Sequence, residues 1–230
     1  MLSTFGLVGR TAPLAVYAPA QLFPVLEMQM QLFCSTLGYE VVFHEVDTYR
    51  QQVVYEDRSL TVETIPLEHR VDCCGYLFRE KPIRPHIRRD VVDFYNIPIS
   101  QFANIKAGAG WTTEDGETIA HERLVFPVEP PRSYAYCSDT RYIPALGDIL
   151  SGVDTIYHES TYADDNQQLA DKYYHSTARQ AAMVARQAGA RQLILGHYSS
   201  RYDDEHILLR EAKNVFENSL LAEEQAVFDV

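Results

Sequence analysis

The 230-residue chain is 46% hydrophobic and 23% charged, close to ordinary globular usage, which excludes a disordered or fibrous class. Its length suits one domain, residues 1–230, carrying a protruding insertion. A formal net charge of −12 counts against nucleic-acid binding over the whole surface and confines any such binding to a local patch.

No apolar run approaches the roughly 18 to 20 residues that span a bilayer. Met1-Leu2-Ser3-Thr4-Phe5 lacks the basic start and apolar stretch of a secretory signal. A cytoplasmic protein without a membrane partner is the expectation. Cys34, Cys73, Cys74 and Cys137 show no C-x-x-C spacing, so reduced, mostly buried thiols are expected rather than a zinc ribbon or disulfide framework.

In chain order, Leu14 to Tyr17 reads as a strand and Pro19 to Leu37 as a helix. Leu22, Val25, Leu26, Leu32 and Phe33 give that helix an apolar stripe, and Gly38 stops it. Glu40 to Val46, Gln52 to Glu56 and Leu60 to Leu67 read as strands. Pro82, Pro85, Pro98 and the Gly108-Ala109-Gly110 stretch break the pattern and mark 81–120 as an irregular or helical insertion. Beyond 133, strands and helices alternate. Strands are expected at Tyr134 to Cys137, Thr155 to Tyr157 and Gln192 to Leu195, with helices near Asp164 to Lys172, Thr177 to Ala188 and Asp204 to Leu220. Thr177 with Gln180 makes a capping box, Gly189 a helix end, and Ala226 to Phe228 a closing strand. The class is α/β with layered sheets and helices.

Four of these strands lead to residues that can do chemistry: His69, Asp139, the pair His158 and Glu159, and His197. Ligands gather outside the carboxyl ends of strands in open α/β sheets. His69, Asp139 and His197 offer nitrogen, carboxylate and nitrogen donors that suit zinc, and one aspartate can give an oxygen to each of two ions. Asp139 reads equally as a loop carboxylate capping the turn before Arg141. Glu159 and His175 form a second pair, in which a carboxylate accepting from an imidazole fixes its tautomer and raises its basicity, so that His175 can protonate a leaving oxygen. The bland alternative leaves His175 exposed beside a helix capped by Ser176 or Thr177, and that helix start can also hold phosphate.

Several ordered motifs resemble those of the ribonuclease Z family. Ile65-Pro66-Leu67-Glu68-His69 with Cys74-Gly75-Tyr76 is similar to the family's proline-leucine-x-histidine segment, and Ser138-Asp139-Thr140 to its serine-aspartate-threonine bridge. His158-Glu159-Ser160-Thr161 resembles the histidine-glutamate-alanine-threonine box, and His175-Ser176-Thr177 matches the histidine-serine-threonine box. Leu195-Gly196-His197-Tyr198 resembles the last metal motif. The match is strong over about 60 to 215.

The resemblance implies a metallo-β-lactamase αββα sandwich and a zinc endoribonuclease that removes 3′ extensions from precursor tRNA at a two-metal site. It gives His69 and Asp139 to one ion, Asp139 and His197 to the other, and the roles of acid-base pair to Glu159 and His175. The family's histidine-x-histidine-x-aspartate-histidine string does not occur within residues 1–230, so each ion is left with two protein ligands and an N-terminally truncated, impaired fold is expected. Three readings accommodate that deficit. One is a ribonuclease Z whose sequence here lacks its start, another an inactive remnant or tRNA-binding module, and the third a different phosphodiesterase of the same fold.

The insertion occupies the place of the family's flexible arm, which grips the tRNA body from the partner subunit of a homodimer. Arg84, Arg88, Arg89 and Lys106 supply a local positive excess there. Ser176, Thr177 and Arg201 complete the expected RNA contacts, with Asp203 as an alternative partner for Arg201.

Overall fold

Runs of β-branched and aromatic residues set the strands, and their alternation sets the two faces of the sheet. The protein is described from a computed structural model covering residues 1–33 and 37–230. Its first part comprises α1 (Leu2–Leu7), β1 (Leu14–Ala18), α2 (Leu22–Phe33), β2 (Val41–Glu45), β3 (Val53–Glu56), β4 (Leu60–Pro66) and β5 (Cys74–Glu80). There follow α3 (Arg89–Phe94), α4 (Phe102–Lys106), β6 (Trp111–Thr112), β7 (Thr118–Ile119) and α5 (His121–Leu124). The remainder comprises β8 (Ser133–Cys137), α6 (Leu146–Ile149), β9 (Thr155–Glu159), α7 (Gln167–Tyr173), α8 (Ala178–Ala188), β10 (Gln192–Gly196), α9 (His206–Lys213) and β11 (Ser219–Leu221).

The chain divides into two compact units, one formed by residues 1–79 and 132–230 and the other by Glu80–Pro131. In the larger unit a seven-stranded sheet runs β11-β10-β9-β8-β5-β4-β3, with β8 to β11 parallel and β5 antiparallel to β8. Helices α6 to α9 fill the connections of the parallel strands, which need crossovers rather than tight turns. Ala135, Cys137, Ile156, Leu193 and Leu195 lie on one face and pack into a core with the alanine-rich side of α8. Burial of each such leucine or isoleucine contributes about 1.5 to 3 kcal/mol. On the other face Tyr76, Phe78, Tyr134, Tyr136 and Tyr157 stand in neighbouring register positions, and the Tyr136 and Tyr157 rings stack 4.7 Å apart. Gly196 at the end of β10 lies beneath the Tyr157 ring, where a Cβ would sit 2.2 Å from its hydroxyl.

The smaller unit has its own core of Val92, Ile97, Ile105, Ile119, Leu124 and Val125, with short helices and the β6-β7 pair around it.

Several expectations change in the structure. Strand β5 is one the sequence reading did not assign; Gly75 and Leu77 face inward while Tyr76 and Phe78 use the other face. Helix α2 starts at Leu22 after a turn at Pro19, and its apolar stripe is largely exposed rather than buried. The expected continuation of that helix through Cys34 lies outside the described residues, as does the thiol of Cys34 itself. The final helix ends at Lys213, because 219–221 leave it to pair with the open edge of β10, whose backbone groups otherwise lack partners. With that edge taken, Ala226 to Phe228 form no strand. Cys73, Cys74 and Cys137 are free thiols.

The capping box is present: Thr177 accepts from the Gln180 N–H, the Gln180 side chain accepts from the Thr177 N–H, and Gly189 closes α8 in the left-handed region. Thr177→Ala should lower unfolding stability by about 1 kcal/mol in urea titrations. An unchanged midpoint would contradict the importance of this cap for α8.

Candidate functional site

The parallel register places the ends of β8, β9 and β10 side by side, with Cys137 opposite His158 and Gly196 opposite Glu159. The loops leaving these ends therefore meet. The segment after β4 joins them through hydrogen bonds from Glu68 N–H to Thr140 Oγ1 (3.0 Å) and from Arg141 N–H to the Glu68 carbonyl (2.8 Å).

Glu159 sits at the centre, fully buried at the last position of β9. Its Oε1 accepts from Thr140 N–H (2.7 Å) and His175 Nδ1 (2.8 Å). Its Oε2 accepts from Thr161 Oγ1 (2.6 Å), Ser176 N–H (3.1 Å) and Thr161 N–H (3.2 Å). Burial opposes ionisation of this carboxyl, but the hydrogen bonds from His175 and Thr161, the His175 charge and the Thr140 N–H outweigh it and hold it below its ordinary value. The bond to Glu159 raises the pKa of His175 against the opposing effect of burial.

The same network fixes the other two imidazoles. His69 Nδ1 lies 2.8 Å from the Tyr174 carbonyl, an acceptor only, so Nδ1 carries a proton and, in the neutral ring, Nε2 a lone pair. Thr161 Oγ1 spends its single proton on Glu159, so it accepts from His197 Nδ1 (2.9 Å), and in the neutral ring His197 Nε2 is likewise a lone pair. Both lone pairs face Asp139: His69 Nε2 is 4.0 Å from Oδ2 and His197 Nε2 is 3.4 Å from Oδ1. Acceptors facing acceptors repel unless a cation or proton lies between them. The donor set thus fits a divalent metal, with the Nδ1 partners acting as the outer hydrogen bonds that orient metal-binding histidines.

Two sets of potential ligands have atoms within 4.8 Å of one another: His69, Asp139 and His175, and Glu159, His175 and His197. The His175 ring lies between the other two, with centroids 4.9 Å from His69 and 5.3 Å from His197. The structure therefore brings together His69, Asp139, Glu159, His175 and His197. Asp139 stands among the histidines, and His175 is buried rather than exposed although Thr177 does cap α8.

His158 stands apart from the chemistry. Its side chain is fully buried on the helix-covered face beside Cys137 and Leu195, with Nδ1 2.7 Å from the Glu159 carbonyl and Nε2 without a hydrogen-bond partner. Burial pushes its pKa down, so it is neutral.

The expected RNA contacts fare differently. Ser176 and Thr177 are 0% exposed. Ser176 Oγ donates to the Thr140 carbonyl (2.8 Å), and Thr177 serves the α8 cap, so these side chains build the site rather than meet RNA directly. Arg201 lies over the Tyr162 ring (5.4 Å) and reaches Asn166 Oδ1 (3.5 Å). In the smaller unit Arg84 and Arg89 are exposed, Arg88 pairs with Asp90 (2.9 Å), and Lys106 ends α4.

Sequence reasoning missed Thr161 and Tyr174. Thr161 touches Glu159, His175 and His197 at once, and its place in the His158-Glu159-Ser160-Thr161 box was the available signal. Tyr174 acts through its backbone carbonyl in the left-handed region (φ 60°), for which the side-chain sequence carries no direct signal.

No family model matches the chain. It is 53% identical over 224 residues to ribonuclease Z of Bacteroides fragilis (strain YCH46), covering 97% of this chain and 74% of that protein. It is 43% identical over 229 residues to ribonuclease Z of Porphyromonas gingivalis (strain W83), covering 100% and 75%. It thus spans about three quarters of the length of these relatives. Among solved structures, the short form of human tRNase Z superposes with a TM-score of 0.64 at 19% identity, over 99% of this chain and 71% of that one. A metallo-β-lactamase fold protein from Bacillus subtilis gives 0.59 at 15% identity, over 98% and 69%. At these identities the likeness is one of fold, and it places the mixed sheet in the metallo-β-lactamase class.

Linkage at the buried pair predicts a pH signature. With its folded pKa above the ordinary 6.5, His175 contributes stability that is complete below pH 6.5 and lost as pH rises through the raised value. Glu159, depressed below 4.5, contributes stability present above pH 4.5 and lost as pH falls through its lowered value. In metal-free protein the stability gap between wild type and His175→Asn should be widest between these two ordinary values and shrink as pH rises through the raised value of His175. A gap independent of pH in urea titrations would contradict the pairing.

Proposed function

The chain belongs to the ribonuclease Z family and is by family a hydrolytic endoribonuclease, and from that premise we propose that its site cuts 3′ extensions from precursor tRNA at a two-zinc centre. The observation that carries this reading is the pair of tautomer-fixed histidines, each directing a lone pair at a different oxygen of Asp139. In it His69 and Asp139 hold one ion, and Asp139 and His197 the other. Zinc, when bound, supplies Lewis-acid polarisation of the phosphodiester and lowers the pKa of water toward neutrality.

The protein's own groups do the rest. Glu159 accepts from His175 Nδ1 and leaves Nε2 as the group that meets substrate. Its raised pKa keeps His175 protonated closer to neutral pH, so that it donates a proton to the leaving oxygen as general acid. Arg84, Arg88, Arg89 and Lys106 contact the tRNA body through the smaller unit, Arg201 contacts phosphate, and the working form is a homodimer in the cytoplasm. Among the described residues no helix is long and apolar enough to cross a membrane.

Two protein ligands per ion fall short of the three that a catalytic zinc ordinarily has, so metal retention and turnover by residues 1–230 alone are weak. Participation of His175 in both potential ligand sets favours a different assignment, His175 as ligand rather than acid.

Incubation with zinc and a 3′-extended precursor tRNA should give slow cleavage, abolished in Asp139→Ala. Zinc should raise the unfolding temperature of the wild type and of His175→Ala but not of Asp139→Ala. His175→Ala should lower kcat by at least about a hundredfold. Loss of the zinc effect in His175→Ala makes it a ligand; efficient cleavage by the unmodified chain would refute the proposed weakness.

A further inference from the structure

Two loops and the C-terminal end of α7 converge beside the candidate centre and bring cations onto tyrosine rings. The Arg141 guanidinium lies 5.1 Å from the Tyr174 ring centroid, Arg70 lies 5.8 Å from that of Tyr173, and the Lys172 ammonium 5.2 Å from the same ring. The loops are tied to the centre itself. Tyr174 accepts from His69 through its carbonyl, Arg70 follows His69 directly, and Arg141 follows the Asp139-Thr140 turn.

Charge makes this cluster unusual for the chain. Among the described residues Arg70 and Lys172 have no carboxylate within ion-pair distance, and Arg141 has only Glu68 at 3.9 Å, although the protein carries a net charge of −12. Arg70, Lys172 and Tyr174 are exposed, and Tyr173 and Arg141 are half-buried. Tyr162 beneath Arg201 is 7% exposed, so its ring is closed to a ligand in a way that the Tyr173 and Tyr174 rings are not.

Nucleobases stack on tyrosine faces and on guanidinium planes, while lysine and arginine neutralise the phosphates between them. We propose that Arg70, Arg141, Lys172, Tyr173 and Tyr174 form a platform for single-stranded RNA, holding the unpaired nucleotides next to the bond presented to the centre. The position of that bond rests on the endonuclease reading above; the platform rests on the cluster. Duplex RNA hides its base faces in the stack, so the platform selects unpaired nucleotides.

The test uses the purified chain and a fluorescein-labelled oligouridylate of about eight nucleotides, a length within the range of single-strand sites. Anisotropy should show binding that weakens about tenfold in Tyr173→Leu. In the Arg70→Gln/Lys172→Gln double variant, which alters only exposed side chains, the salt slope should shrink by about 0.7 per cation removed. Arg191→Gln, at the opposite end of β10, should bind as the wild type does. Absence of binding, equal affinity for a duplex of the same length, or equal losses in all variants would overturn the platform. Precursor tRNA cleavage in the same preparations separates the two claims. Oligouridylate binding sensitive to the platform variants, without any cleavage, supports the platform and refutes the proposed slow cleavage by residues 1–230. Slow cleavage with binding indifferent to the variants does the reverse.

Discussion

A carboxylate with no exposed surface costs several kcal/mol unless its charge is met by hydrogen bonds and an opposite charge. Glu159 is such a group, and five donors from three different loops meet it. That requirement organises the sheet end. The Thr140 turn, the Thr161 segment and the Tyr174-His175-Ser176 loop each have a backbone or side-chain donor that must reach the same two oxygens. Positioning those donors also positions Asp139 and the three imidazoles.

The arrangement separates two kinds of work. His69 and His197 have their Nδ1 atoms engaged by neutral oxygens, the Tyr174 carbonyl and Thr161 Oγ1, and present lone pairs to Asp139. Of the three, only His175 has its Nδ1 on a carboxylate, which favours its charged form. One fold end therefore places, with ring centroids 4.9 and 5.3 Å apart, two imidazoles whose Nδ1 rests on a neutral oxygen beside one whose Nδ1 rests on a carboxylate. The cationic tyrosine cluster next to His69 is a local positive excess in an acidic protein, and exposed charges farther off than about 10 Å are largely screened from it.

Much of this was legible in the sequence because it depends on strand ends. Apolar strands Tyr134 to Cys137, Thr155 to Tyr157 and Gln192 to Leu195 each terminate in polar residues, and parallel pairing aligns such ends. The capping box at Thr177 was legible for a similar reason, being a local pattern with one dominant geometry. Strand β5 was obscured by Gly75 and the charges at Arg79 and Glu80, and β11 by a helical pattern at its start that sheet pairing overrode. The contribution of Tyr174 was illegible because a carbonyl is the same in every residue. Ser176 and Thr177 looked available to RNA because composition does not reveal that their hydroxyls are spent on Thr140 and the cap.

Anomalous diffraction at the zinc edge, from crystals of the chain soaked in excess zinc, tests the central claim most directly. Two peaks are predicted, one between His69 Nε2 and Asp139 and one between His197 Nε2 and Asp139, with none against Glu159. Zinc held by Glu159, or absent from both Asp139 oxygens at saturation, would contradict the assignment of Asp139 as the shared ligand and of Glu159 as the anchor of His175.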